Sequence, residues 1–167
     1  MRFAHDDHTE QLRATLTEFL ESHVYPAEPV YAEQRAALMA AGQPHEVPQV
    51  MTELQREARA RGLWNLFLPS QSGLSNADYA VIAEETGRSP VIGPAAMNCL
   101  SPDTGNMELL DMFATAQQRE TWLEPLLNGD IRSAFSMTEP DVASSDATNI
   151  STRIERDGDS YVVNGRK

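Results

Sequence analysis

Between Phe135 and Asn149 the chain reads Phe-Ser-Met-Thr-Glu-Pro-Asp-Val-Ala-Ser-Ser-Asp-Ala-Thr-Asn. An alternating approach ends at Thr138, Pro140 fixes a turn, and small residues carrying hydroxyls and free backbone N–H groups follow. Small side chains let backbone donors approach a ligand closely, and successive N–H groups in a turn form a concavity that suits phosphate oxygens. A hydroxyl donor at a strand end beside such a concavity suits a nucleotide cofactor. The same composition also suits a loop whose Ser and Thr side chains satisfy only their own backbone.

Other chemistry is sparse. His5-Asp6-Asp7-His8 carries metal-capable groups, but it sits near a chain end with no distant ligand set, so no metal site is assigned. Glu84 and Glu85 follow an apolar helix and read as a solvated face or a structural hydrogen-bond partner. Trp64 and Phe67 read as core, and Cys99, in the loose stretch 97–100, could equally be a small buried hydrophobe, so no site residue is named there. The chain has no Gly-x-Gly-x-x-Gly, no Lys-bearing phosphate loop and no Cys-x-x-Cys, so Rossmann, P-loop and zinc-ribbon readings fail.

The 167 residues include 25 acidic and 13 basic side chains, a formal charge of −12, with the Lys and Arg scattered singly. That excludes a generic nucleic-acid or anionic-membrane binder, which needs clustered cations. With 41% hydrophobic and 23% charged residues the chain is ordinary for a globular protein. One cysteine allows no internal disulfide, no leader pattern opens the chain, and no apolar run is long enough for membrane insertion. These features predict a cytoplasmic protein.

The positioning elements are mostly helices. Leu12, Leu16, Phe19, Leu20 and Val24 recur on one helical face over 7–24, with Pro26 and Pro29 expected to close it. A second helix is predicted from Val30 to Ala41 and a third through Val47, Val50, Met51, Leu54 and Ala58 to Gly62. Leu63 to Pro69 reads as a buried connector. Ser75 or Asn76 caps a fourth helix ending at Gly87, and two more are predicted over 106–114 and 116–127. After Asp130 the grammar changes. Ile131, Ser133, Phe135 and Met137 alternate with their neighbours, as do Ile150, Thr152 and Ile154, which predicts strands. Asp157-Gly158 suits a type I′ hairpin and Asn164-Gly165 a second tight turn. The expected fold class is mainly α, with an all-α domain over 1–130 and the start of a β-domain over 131–167. Three strands cannot close a covered sheet, so the chain reads as the front part of something larger.

FSMTEPDVASSDATN, followed by YVVNGRK, resembles the flavin-binding strand and loop of the acyl-CoA dehydrogenase family. The resemblance extends over the whole chain, through Gly62-Leu63-Trp64, Glu84-Glu85-Thr86-Gly87-Arg88 and Gln117-Gln118-Arg119-Glu120. The loop is one residue longer than the commoner family form, as in the branch containing the multi-domain animal enzymes and their bacterial relatives. The resemblance implies FAD as cofactor. Thr138 matches the threonine whose hydroxyl meets the pyrimidine edge of the flavin, with the Met137 N–H beside it. Phe135 and Ser136 begin the flavin-contacting strand. Ser145 matches the serine shared by the FAD pyrophosphate and the acyl-CoA substrate, with Ser144 as the competing alignment. Asp146 is expected to fix the loop.

The implied reaction is α,β-dehydrogenation of an acyl-CoA thioester, with electron-transfer flavoprotein or a similar acceptor as partner. A homo-oligomer or a complementing C-terminal chain is also implied. In the family the catalytic base lies in a C-terminal helical domain, so no catalytic residue is assigned among these 167. Two other readings stand beside this one. They are an oxidase or monooxygenase on the same scaffold, and a non-catalytic helical interaction module.

Overall fold

The computed structural model describes residues 6–167, so His5 of the His-Asp-Asp-His stretch lies outside the described residues. Its contacts divide it into a helical unit ending at Ser133 and a second unit from Ala134 to Lys167.

Helix α1 spans Asp7–Phe19, and its N-cap is Asp6, whose carboxylate accepts from the Thr9 N–H at 2.8 Å. That bond satisfies one of the orphan donors of the first turn and holds the Asp6 carboxyl below its ordinary range. The apolar face predicted for this helix forms the centre of the core, with Leu16, Phe19, Leu20 and Val24 at most 1% exposed. Pro26 and Pro29, however, do not end it. The helix passes through a π turn, Leu20–Val24, straight into α2, Tyr25–Ala40. Proline lacks the N–H that would bond four residues back, and its ring crowds that carbonyl. The widened turn avoids the clash by having Tyr25 N–H donate to Leu20 O, five residues back. The same device recurs before Pro125. There α8, Ala116–Gln118, runs through the π turn Arg119–Leu123 into α9, Glu124–Asn128, and Glu124 N–H donates to Arg119 O.

Helix α3, Gln49–Ala60, lays Val50, Met51, Leu54 and Ala58 into the core. The connector after it is buried as predicted, with Leu63, Leu66, Phe67 and Leu68 at most 5% exposed. After a short α4, Pro69–Ser72, Ser75 caps α5, Asn76–Thr86, by accepting from the Asp78 N–H. Helix α5 packs on α1. Glu85 fixes that contact by accepting from Arg13 at 3.2 Å, with Arg88 at 3.4 Å on its other oxygen. It is therefore a structural partner, while Glu84 is exposed. A short α6, Gly93–Ala96, packs on α3, and α7, Asp103–Phe113, starts three residues earlier than its apolar pattern suggests.

In the second unit, β1 (Arg153–Asp157) and β2 (Ser160–Asn164) form one antiparallel hairpin in the register Arg153↔Asn164 to Asp157↔Ser160. Three sequence expectations are corrected here. Residues 131–138 form no strand, because alternation supplies a face but not a ladder, and no described residue pairs with them. The register leaves Gly158 and Asp159 as the loop, with positive φ only at Gly158 (59°). That is the II′ pattern, with glycine at the first central position, rather than type I′. Finally, Gly165 makes no tight turn. It lies against Thr152 so closely that a Cβ would sit 2.8 Å from the Thr152 Cα.

Candidate functional site

The segment from Phe135 to Asn149 is organised around one carboxylate. Glu139 is 4% exposed and accepts from the Ser151 N–H (2.8 Å), the Ser151 hydroxyl (2.6 Å) and the Thr152 N–H (3.0 Å). The Lys167 ammonium stands 3.2 Å from its other side and also donates to the Met137 carbonyl at 3.1 Å. Hydrogen bonds from the Ser151 hydroxyl first, and from Thr152 next, hold the Glu139 carboxyl well below the usual carboxylate range. Glu139 N–H in turn donates to the Ser144 hydroxyl at 2.7 Å, closing the Pro140 turn. This carboxylate is thus a fixed structural anion, saturated by donors and unsuited to accept a substrate proton.

The predicted cofactor residues separate into two sets on this frame. Ser144 is 3% exposed and turned inward to Glu139. The Met137 N–H donates to the Phe135 carbonyl at 3.2 Å. By contrast Ser136, Thr138 and Ser145 are exposed, and their hydroxyls have no partner among the described residues. Phe135 is 68% exposed. Asp146 accepts from the Thr148 N–H (3.0 Å) and hydroxyl (2.7 Å), capping the 3-10 turn Ala147–Asn149 and leaving its carboxyl lowered by those bonds. It fixes the loop, as expected. The frame therefore presents three hydroxyls and an aromatic ring on a short span tied down by Glu139, Lys167 and Ser144.

Within the helical unit two buried polar clusters hold the last residues before this segment. Asp103, at the start of α7, is 2% exposed and accepts from the Ser133 N–H at 2.7 Å, from the Ser133 hydroxyl at 2.6 Å and from Arg132 Nε. The Asn106 amide donates to the same Ser133 hydroxyl at 2.8 Å. Asn65 and Asn98, both left-handed (φ 55° and 56°), are joined by the Asn98 amide donating to Asn65 Oδ1 at 2.7 Å. Together with the Trp64 indole they satisfy the carbonyls that end α9. Asn98 donates to Leu126 O at 2.9 Å, and Asn65 and Trp64 donate to Leu127 O at 2.9 and 2.7 Å. The Arg59 guanidinium lies 3.7 Å over the Trp64 ring and donates to Asn128 O. Cys99 is buried, its thiol pushed up by desolvation, and donates to Met97 O at 3.3 Å.

Residues 6–130 match the family described as "Acyl-CoA dehydrogenase, N-terminal domain". The chain belongs to the acyl-CoA dehydrogenase family. It is 55% identical over 167 residues to the "Probable acyl-CoA dehydrogenase FadE2" of Mycobacterium tuberculosis, covering 100% of this chain and 40% of that protein. It is 52% identical over 149 residues to human "Acyl-CoA dehydrogenase family member 11", covering 89% of this chain and 19% of that protein. A solved structure of a protein assigned as an acyl-CoA dehydrogenase from Mycobacterium abscessus superposes with a TM-score of 0.89 at 46% identity, over 98% of this chain and 42% of that one. The chain thus spans about two fifths of its mycobacterial relatives.

Several residues that organise this chain escape a reading of the sequence. Glu139 is visible only as a member of Thr-Glu-Pro, and its partners lie 12 to 28 residues downstream. Asp103 reads as an ordinary first-turn acid of a helix. Asn65 is the one residue with a local signal, because a polar amide inside an otherwise apolar connector must find partners when buried. Among the described residues no helix is long and apolar enough to cross a membrane.

Proposed function

We propose that this chain is the FAD-contacting front part of an enzyme that dehydrogenates an acyl-CoA thioester between its α and β carbons. The observation that carries the reading is the set of exposed, unpartnered hydroxyls of Ser136, Thr138 and Ser145 on a loop held by the bonded side chains of Glu139, Ser144 and Asp146. Such hydroxyls fit the acceptor-rich edge of a flavin ring and the oxygens of a pyrophosphate. FAD, when bound, supplies a two-electron acceptor for the hydride leaving the β carbon. The Thr138 hydroxyl donates to the pyrimidine edge, where reduction places negative charge, so a fixed donor there favours the transfer. Ser145 donates to the pyrophosphate and to the acyl-CoA, while Phe135 and Ser136 flank the ring. Ser144 holds the loop through the Glu139 N–H, so of the two adjacent serines Ser145 is the one free to bind. The base that removes the α-proton is assigned to no residue of this chain. Electron-transfer flavoprotein or a similar protein would accept the electrons, and a homo-oligomer or a complementing C-terminal chain would complete the site.

The test is whether the purified protein that contains this chain carries FAD, identified by mass after release, and whether acyl-CoA bleaches it without oxygen. Thr138→Ala should weaken stabilisation of the reduced flavin by about 1 to 3 kcal/mol, the scale of losing a donor to a charged group. An unchanged flavin midpoint potential in that variant refutes the role of Thr138. Rapid reoxidation of the reduced flavin by oxygen would favour an oxidase or monooxygenase instead.

A further inference from the structure

The exposed Thr138 stands between two peptide planes, each held by a different bond of the second unit. The plane before it contains the Met137 carbonyl, which accepts from the Lys167 ammonium at 3.1 Å. The plane after it contains the Glu139 N–H, which donates to the Ser144 hydroxyl at 2.7 Å. Because peptide units are planar, a residue has only two soft backbone dihedrals, and the two planes here meet at the Thr138 Cα. Holding both planes therefore sets φ and ψ of Thr138, and with them the direction of its Cα–Cβ bond. Threonine is stiff about χ1, so a set backbone leaves its hydroxyl few directions.

Glu139 anchors both planes. Its side chain is 2% exposed, and the ammonium that holds the Met137 carbonyl stands 3.2 Å from its carboxylate. The carboxylate does not depend on Lys167 for hydrogen bonds, since the Ser151 N–H, the Ser151 hydroxyl and the Thr152 N–H already donate to it. What Lys167 adds is a link from that fixed anion to the carbonyl on the other side of Thr138. One side chain thus grips the residues immediately before and immediately after the exposed hydroxyl.

We infer that Lys167 is a positioning residue for Thr138, fixing the peptide plane that precedes it so that its hydroxyl is aimed at the pyrimidine edge of the flavin. The inference rests on the flavin reading given above. A donor aimed before reduction needs no reorganisation when negative charge develops at that edge, and this is where its advantage lies.

The experiment is a double-mutant cycle on the FAD-loaded protein that contains this chain, read by the two-electron midpoint potential of the flavin and by FAD affinity. Thr138→Ala removes the hydroxyl, and Lys167→Met removes the ammonium while keeping an unbranched side chain. Lys167→Met should lower the preference for reduced flavin by about three- to tenfold, the scale of one hydrogen bond, which is a midpoint about 15 to 30 mV more negative. In the Thr138→Ala background it should move the potential no further, because a hydroxyl that is gone cannot be misaimed. Lys167→Arg keeps a cation and donors at that place and should return the potential toward that of the unmodified protein. An unchanged potential in Lys167→Met, with Thr138→Ala shifted, overturns the inference and leaves the flavin reading standing. A shift of equal size with and without the Thr138 hydroxyl also overturns it, since it marks a charge acting directly on the flavin or a general loosening of the loop. So does a loss of folding or of FAD affinity larger than that caused by Thr138→Ala, because a residue acting through Thr138 cannot cost more than Thr138 itself. An unchanged potential in Thr138→Ala is a separate failure, which removes the flavin role of Thr138 and the positioning role with it.

Discussion

Replacing Asn98 tests how the helical unit ends α9. Its amide donates to Asn65 Oδ1 at 2.7 Å and to Leu126 O at 2.9 Å, with a third, longer approach to Leu127 O at 3.5 Å. The residue is 7% exposed, and its φ of 56° places it where side chains other than Asn, Asp and Gly are strained. Asn98→Ala removes two good hydrogen bonds and strands Asn65 Oδ1, while Leu126 O keeps the Gly129 N–H, a cost of about 1 to 2 kcal/mol for each bond lost. The left-handed conformation adds about 1 kcal/mol for a residue with a Cβ. The expected loss is therefore about 3 to 5 kcal/mol, a large share of the roughly 5 to 15 kcal/mol by which domains are stable. Asn98→Gly loses the same bonds without the steric penalty and should fall short of Ala by about 1 kcal/mol. Asn98→Asp keeps shape and backbone but points a carboxylate at carbonyl oxygens, so it should be at least as damaging as Ala at neutral pH. Urea unfolding followed by tryptophan fluorescence is the assay, since the Trp64 indole donates to Leu127 O in the same cluster. An Ala variant within about 1 kcal/mol of the unmodified chain, the size of an ordinary surface change, refutes the lock. Equal values for Ala and Gly refute the backbone part alone.

Three further outcomes follow from the same geometry. Glu139 has a folded pKa below its ordinary 4.5, so its contribution is complete at neutral pH and above, and fades as pH falls below 4.5 toward the folded value. Amide exchange at Ser151 and Thr152, corrected for intrinsic rates, should show that loss on acidification, and Glu139→Gln should show it already at pH 7. Gly165→Ala would set a Cβ 2.8 Å from the Thr152 Cα and should cost about 1 to 3 kcal/mol through overpacking, read as loss of the Arg153↔Asn164 cross-strand contacts by NMR. Gly129→Ala combines φ of +71° with a Cβ 3.1 Å from Trp64 and Arg59, and should cost about 1 to 2 kcal/mol, with a change in Trp64 emission.

What the sequence reveals is what is local. Leu12 to Val24 declare a helical face and Ser75-Asn76 a cap, and the face lies where its pattern puts it while Ser75 is the one of the two that caps. Pro26 misleads, because its usual effect is to stop a helix, whereas a π turn two residues upstream absorbs it. The alternation from Ile131 to Met137 misleads for a different reason: a ladder is a property of two segments, and one segment's pattern cannot supply the second. In the candidate site, Thr138 and Ser145 are exposed, their hydroxyls without a partner among the described residues. The difference in burial between Ser144 and Ser145 is legible only in three dimensions, since two adjacent serines look alike until one is buried under Glu139. Asp103 and Ser133 stand 30 residues apart, beyond any local pattern.

The tie between Lys167 and Met137 also orders events during biosynthesis. Thirty residues separate the two, so at a ribosomal rate of about 5 to 20 residues per second Lys167 is made about 1.5 to 6 seconds after Met137. Asp103 and Ser133 are separated by the same 30 residues, but Asp103 is already made when Ser133 arrives. The nascent chain can thus anchor Ser133 before Met137, and the loop remains open on the Glu139 side until Lys167 clears the exit tunnel. A pause after Phe135 has left the exit tunnel and before Lys167 has done so would expose a half-set segment, with Phe135 as its most apolar group, to chaperones at that stage of synthesis.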